Sequence, residues 1–310
     1  CALPISNYVA DEGPGAAKTA ALYPNIEHVL VRSKGISPLD DLDRTFFLFE
    51  RPVLNICNLV WTNAINDAAR ERKLQVMLVG SAGNAGLSRE GRDLLPQLVR
   101  NGRWLKLWRE GRALTRQGVG YRTVLANSFG PWCPGPLWEF LKRLKHGINP
   151  QDLNQSRMLN PSRAGELAAR ARAQGKDIYG RPRLNTFADQ IRRLQMGDPG
   201  NYIKGTLGGW QIDQREPLSD ARLIEFCMAV PREQFLSGGV TKALARRALA
   251  DRLPKSILDE TRSGLQSADW HESLTAVRGG LASELDRLEA CTPAARALNL
   301  ARMRQLVNDW

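Results

Sequence analysis

Leu78–Gly91 reads LVGSAGNAGLSREG. The apolar run Val76-Met77-Leu78-Val79 stops at Gly80, a loop of small residues follows, and Ser88 leads back into charge. A short apolar run without polar alternation is the pattern of a strand covered on both faces, as parallel strands between helices are. Glycine at the end of such a strand lets backbone N–H groups come close to a ligand. The carboxyl end of a parallel strand is also where open α/β sheets bind ligands. The competing reading is a plain strand-to-helix turn, and taken alone the residues favour it.

The neighbours support an α/β order. Asn58–Arg72 has the 3.6-residue apolar spacing of an amphipathic helix, with Trp61, Ile65 and Ala68/Ala69 on one face. Asp11–Tyr23 reads as a helix with its acidic residues at the positive end. His28–Ser33, HVLVRS, reads as a short strand. Helix and strand in alternation argue a parallel sheet with flanking helices.

From Leu94 to about Gly200 the pattern loosens. Trp104, Leu107 and Trp108 suggest a helix edge, and FGPWCPGPLW (Phe129–Trp138) reads as a Pro/Gly turn cluster. Ser162–Gln174 reads as an Ala-rich helix with Ser162 as N-cap and Gly175 just past its end. Order returns further on. PLSDARLIEFCMAVP predicts a helix capped by Ser219, with Leu223, Phe226, Cys227 and Val230 on one stripe. TKALARRALADRLP predicts a helix capped by Thr241, with Leu244, Ala248 and Leu249 inward and Pro254 as its stop. A last amphipathic helix is placed over Leu281–Leu288.

The 310 residues are 43% hydrophobic and 25% charged, a globular balance. No window approaches the roughly 18 apolar residues that span a bilayer, so a membrane partner is not expected. The net charge is +12, which suits an anionic partner. Arg100, Arg103, Lys106, Arg109, Arg112 and Arg116 are scattered, and no RNA-binding aromatic signature or zinc spacing accompanies them. An anionic small molecule is therefore expected ahead of nucleic acid. The five cysteines are far apart and form no CxxC pair, which argues against a metal site or a disulfide framework. Cys57 and Cys227 lie among apolar residues and read as buried thiols. A reducing cytoplasm fits this usage. Cys1–Ser6, CALPIS, has no initiator Met and reads as a junction rather than a natural start.

Four blocks in sequence order resemble the C-terminal synthetase domain of the glutamine-dependent asparagine synthetases, and more closely the divergent branch found beside lasso-peptide clusters. They are DEGPGAAKTAALYPNIEH (11–28), VMLVGSAGN (76–84), REPLSDARLIEFCMAVP (215–231) and GGVTKALARRALADRLPKSILDETRSGLQSADW (238–270). The stretch 92–200 matches poorly. The resemblance implies an adenine nucleotide α-hydrolase-like (PP-loop) α/β fold with a helix-rich C-terminal half. It divides the chain into a nucleotide-binding remnant (1–91), a variable basic helical region (92–200) and a C-terminal helical part (201–310). The family's SGGxDS phosphate loop would precede Asp11, so the chain is expected to be N-terminally truncated, to bind ATP weakly and to be inactive alone. The glutaminase domain would lie further upstream or be a separate partner.

What the resemblance implies for function is ATP-dependent amide formation through an acyl-adenylate, with aspartate as the carboxylate and glutamine-derived ammonia as the amine. ATP and Mg2+ are the expected cofactors. Gly80, Ser81, Gly83 and Asn84 are the expected nucleotide-side residues. Asn84 and Ala85 stand where the family has Asp-Glu; Asn84 can still hydrogen-bond but carries no charge. Arg262 stands where the family has a catalytic Lys, and its guanidinium can clamp pyrophosphate. Arg215 and Asp220 read first as an ion pair or helix cap, Lys242 and Arg246 as structural or phosphate-facing, and Asp11 and Glu12 as either substrate-side or a helix N-terminal pair. Two alternatives remain open: a lasso-type macrolactam cyclase acting on a peptide carboxylate, and a non-catalytic basic binding module.

Overall fold

The structure, a computed structural model, describes residues 12–32, 35–53, 56–146, 158–184, 187, 189, 191–192, 198–261 and 270–309. The chain divides into two compact units, each built from two pieces: residues 1–94 with 185–276, and 95–184 with 277–310. The first unit contributes α1 (Gly13–Ala20), α2 (Leu42–Phe49), α3 (Ile56–Glu71) and β1 (Val76–Leu78). Then come α4 (Leu94–Arg100), α5 (Trp104–Arg116), α6 (Tyr121–Phe129), α7 (Gly135–His146) and α8 (Pro161–Ala173). The first unit resumes with α9 (Pro199–Trp210), β2 (Asp213–Arg215), α10 (Ala221–Ala229), α11 (Ala243–Ala248), α12 (Lys255–Leu258) and α13 (Trp270–Thr275). The second closes with α14 (Arg278–Ala290), α15 (Thr292–Ala297) and α16 (Leu300–Asn308). The architecture is helix-rich α/β with a small parallel sheet.

β1 runs parallel to β2, with Val76 opposite Asp213, Met77 opposite Gln214 and Leu78 opposite Arg215. The ladder extends at both ends. Asp213 N–H donates to the Gln75 carbonyl at 2.8 Å, and Val79 N–H donates to the Arg215 carbonyl at 2.9 Å. On one face Met77 packs against Ala69 of α3, Trp210 of α9 and Ile212. On the other face Val76 and Leu78 are 45% and 69% exposed. The expectation of an interior strand buried on both faces is therefore corrected: among the described residues β1 is paired on one edge and covered on one face. An apolar run states that a strand can be buried on both sides, not that two layers are there to bury it. The strand expected at His28–Ser33 is also corrected, since residues 28–32 form none and Ser33 lies outside the described residues. A strand needs a neighbour for its backbone groups, and no described strand pairs with residues 28–32.

The covered face is built by α9 lying against α2. A Cβ on Gly205 would run into the Phe49 ring, and one on Gly209 would come within 2.7 Å of Leu48 Cδ1. These glycines let the two helices approach at backbone range. Trp210, nearly fully buried, donates its indole N–H to Asp67 Oδ1 at 2.8 Å and carries the Arg44 guanidinium 4.3 Å above its ring. α9 starts at Pro199 and is capped by Asp198, which accepts from Asn201 N–H at 3.1 Å.

A second core holds the loop after β1 in place. Cys227, Phe187 and Phe235 are buried together, with Leu223, Val230 and Leu244 packed against them. Beside them Arg89 and Asp93 are 4% and 2% exposed and paired at 2.5 Å, and Arg232 reaches the same Asp93 oxygen at 3.4 Å. The Arg89 guanidinium lies over both the Phe187 and Phe235 rings. Burial pushes its pKa down against the pull of Asp93. Gly91, between the two paired residues, has φ +74°, and a Cβ there would lie 2.7 Å from the backbone of Phe235 and Leu236. Only glycine fits this crossing.

Several helix ends differ from expectation. α10 is capped by Asp220, not Ser219: the carboxylate accepts from Arg222 N–H at 2.9 Å, while Ser219 Oγ donates to the Glu216 carbonyl. Phe226 is exposed rather than part of the inward stripe. α11 begins after Lys242 at φ +54°, without a Thr241 cap, and buries Ala243 and Ala245 instead of Ala248. Pro254 opens α12 as well as ending the turn before it. α8 is capped by Asn160, which accepts from Ser162 N–H at 3.1 Å; Gly175 follows it at φ +66°, as expected. On α3, Ala69 and Asn66 face inward while Ile65 is exposed. Cys227 is buried and Cys57 half-buried. FGPWCPGPLW is a short turn at Gly130–Trp132 running into α7, and the helix over Leu281–Leu288 is part of α14, with α15 and α16 after it. No helix among the described residues is long and apolar enough to cross a membrane.

Asp93→Ala leaves two guanidinium groups in one buried pocket without their carboxylate. The expected loss is about 3–5 kcal/mol, read as a lower urea midpoint. A second test uses pH. The side-chain hydrogen bond from Arg222 holds the Asp220 carboxyl down to about 2 from an ordinary 3.8. A carboxyl depressed in the fold contributes above its unfolded value and loses that contribution as pH falls through the folded one. The first turn of α10 is therefore expected to loosen between about pH 4 and about pH 2, read from the Arg222 amide in a proton-exchange series and absent in Asp220→Asn.

Candidate functional site

Parallel pairing puts the carboxyl ends of β1 and β2 side by side, so the loops that leave them meet. After Val79 the chain turns at Gly80 and Ser81, makes a single tight turn at Gly83–Ala85, and is closed by Ser88 N–H donating to the Gly83 carbonyl at 3.0 Å. Ser88 Oγ donates to Asn84 Oδ1 at 3.4 Å. The chain leaving β2 passes through Glu216, makes a tight turn at Pro217–Ser219 and enters α10 at Asp220. Leu218 packs under the first loop: a Cβ on Gly83 would lie 3.0 Å from its Cδ1 and 3.2 Å from Ser88 Oγ.

One hydrogen bond joins the two loops. Ser81 N–H donates to Glu216 Oε2 at 2.7 Å. The other carboxylate oxygen, Oε1, is shielded from solvent and has no hydrogen-bond partner among the described residues. A desolvated carboxylate oxygen left without a partner costs about 1–3 kcal/mol or more, so it is a place where a cation or a donor would be favoured.

The expected site residues divide accordingly. Gly80, Ser81 and Asn84 are exposed together on the one loop. Gly83 is buried beneath it against Leu218 and Ser88. Arg262 and Asp11 lie outside the described residues. Glu12 stands at the N-cap position of α1 without a capping side-chain hydrogen bond. Arg215 pairs with Asp213 at 2.7 Å along β2, and Asp220 caps α10, both structural as read. Arg246 is a strap: its guanidinium donates to the carbonyls of Thr241 at 3.0 Å and Glu260 at 2.9 Å. It thereby fixes the chain just before position 262.

Two residues escaped the sequence reading. Glu216 is the variable position of the Arg-x-Pro block, and its only signal is a carboxylate at a strand end ahead of proline. Asp93 was announced by its spacing of four from Arg89 inside REGRD, a helix-like ion-pair spacing placed where no helix was expected.

The donors on the loop bear on what it could hold: a carboxylate lies where a bare phosphate would need an amide. Among the described residues a Cβ on Gly80 would meet only Leu218 Cδ1, at 4.0 Å. The Ser81 amide, which a phosphate oxygen would otherwise use, is already held by a carboxylate. A carboxylate repels a bare phosphate but shares a divalent cation with one. Among the described residues no group of three His, Cys, Asp or Glu is gathered to hold a metal by itself, which leaves ligand oxygens and water to complete any coordination.

Glu216→Ala removes the tie between the two loops. The expected result is a Ser81 amide exchanging at least about tenfold faster with solvent, and a stability loss of about 1–2 kcal/mol. Glu216→Gln keeps an acceptor for Ser81 and is expected to retain most of the protection.

A comparison with protein families matches the asparagine synthase family over residues 7–310. Comparison with curated proteins and with solved structures matches none of them. The matched span takes in both pieces of each compact unit, including the poorly patterned stretch between the recognisable blocks. With the family's strand-and-loop block at the meeting point of two parallel strands, and the match extending over nearly all of its length, this chain belongs to the asparagine synthase family.

Proposed function

We propose that this chain carries the synthetase chemistry of an asparagine synthase-type ligase, with a PP-loop-like nucleotide site at the carboxyl ends of β1 and β2. The reaction joins a carboxylate, with aspartate the first choice, to ammonia. A carboxylate oxygen attacks the α-phosphorus of ATP and the bond to the bridging oxygen breaks, releasing pyrophosphate. Ammonia then forms the C–N bond as the C–O bond to AMP breaks. When bound, magnesium–ATP supplies the leaving groups and charge neutralisation for both steps.

The observation that supports this reading is the Ser81–Glu216 junction. Gly80 puts no side chain at the strand end and Asn84 offers an uncharged amide beside it. Glu216, just past β2, supplies a carboxylate to a loop whose own family carboxylates are replaced by Asn84 and Ala85. Its partnerless oxygen would take one position on magnesium, with phosphate oxygens and water taking the rest. Holding the carboxylate in place before the ligand arrives is the kind of fixed charge that positions a reacting group without later rearrangement. Arg262 is assigned by resemblance as the clamp on pyrophosphate.

The test is product analysis with ATP, magnesium, aspartate and ammonium chloride, run on the chain extended upstream through an SGGxDS phosphate loop, because without that loop it is expected to be inactive. AMP and asparagine in equal amounts are expected. Glu216→Ala is expected to lower the rate by about 10²-fold or more, with a rightward shift in the magnesium dependence. AMP formation that depends on a peptide carboxylate instead of aspartate would select the cyclase reading. No AMP with either substrate would refute the enzyme reading for this chain.

A further inference from the structure

We propose that the outer face of the α5–α6 hairpin docks an acidic, amphipathic helix of a partner protein. α5 packs inward through Leu107, Glu110, Gly111 and Leu114, the i, i+3, i+4, i+7 pattern of a helix seated on a core. Gly111 is where α6 comes close: a Cβ there would lie 3.1 Å from Val124 Cγ1. The opposite face of α5 carries Trp104, Leu105 and Trp108, all more than half exposed, followed by exposed Arg109, Arg112 and Arg116. On α6, Tyr121 and Leu125 are likewise exposed, one turn apart.

Charge decides the kind of partner. Residues 104–129 hold Lys106, Arg109, Arg112, Arg116 and Arg122 against a single carboxylate, Glu110, and that one faces inward. The exposed face is thus apolar and aromatic at one end of α5, cationic at the other, with no acidic side chain on it. Tryptophan with arginine is the composition that dominates binding at protein interfaces. The apolar and basic groups spread over about 18 Å of helix at 1.5 Å per residue, a length that a partner helix of three to four turns covers. A second copy of this chain would bring arginine against arginine and is disfavoured.

Two other anionic surfaces fit less well. A base of single-stranded RNA needs an open ring face to stack on. Here Arg112 sits over the Trp108 ring at 5.3 Å and Arg122 over Tyr121 at 5.7 Å. A helix lying on a lipid surface separates apolar from basic around its circumference; α5 separates them along its axis.

The probe is a synthetic helical peptide of about 20 residues, with Leu at i, i+3, i+4 and i+7 and Glu on the flanks. Its binding to the full chain is followed by tryptophan fluorescence and calorimetry. Saturable binding is expected, weakening at least about tenfold between low salt and about 0.5 M. The double variant Arg112→Glu/Arg116→Glu and the variant Trp108→Ala are each expected to lose about tenfold or more. These side chains are exposed, and an unchanged thermal midpoint will show that the variants fold. No binding, equal binding of the same peptide with Lys in place of Glu, or binding unaffected by the variants would overturn the proposal. So would tighter binding of oligouridylate or of phosphatidylserine vesicles than of the peptide.

Discussion

Two strands running the same way present their carboxyl ends at one place, and the rest of the candidate site follows from that. The pairing is short, but it is held from one side by a dense layer. Met77 reaches into the cluster of Ala69, Trp210 and Ile212, and Trp210 is itself fixed by Asp67 and Arg44. Glycines at 205 and 209 let α2 come close enough to close that layer. Remove the parallel register and Glu216 no longer faces Ser81; remove the layer and the register has nothing to hold it.

The loop after β1 is anchored at its far end by a different kind of interaction. Arg89 and Asp93 form a buried ion pair that the half-buried Arg232 joins, with Arg89 against the rings of Phe187 and Phe235. Such a group adds little net stability over an apolar core, yet it tolerates no missing member. Its effect is to allow one path for residues 89–93. With Leu218 packed beneath Gly83, the loop has a defined floor, and its upper residues, Gly80, Ser81 and Asn84, face outward, as does Glu90 near its far end.

How much of this was readable in advance depends on range. The helix at Ile56–Glu71 and the strand ending at Gly80 show in local periodicity, because neighbours in sequence determine both. Gly175 beyond α8 was legible because a left-handed helix end asks for glycine. The cap at Asn160 lies two positions from the expected Ser162, and at α10 both Ser219 and Asp220 offered a cap, since Ser, Asn and Asp compete for the same role and the tertiary path chooses among them. The exposure of Val76 and Leu78 could not be read, because an apolar strand carries no record of how many layers surround it. Glu216 was invisible for the same reason: its meaning lies in Ser81, a residue remote in sequence. The cationic face of α5 looked like scatter until a helix gathered every third and fourth arginine to one side.

The interleaving of the two units has a consequence for biosynthesis. The chain passes from one to the other after Leu94, returns after Leu184 and leaves again after Ala276. β1 emerges from the ribosome long before β2 and waits, unpaired, while an entire inserted segment is made. That segment in turn lacks its closing helices until residues 277–310 have been made. Each unit waits for a piece made much later, so the nascent chain carries exposed strand and helix surface until the second piece of each unit has been made. A cell making this protein would be expected to shield it with chaperones for most of that time.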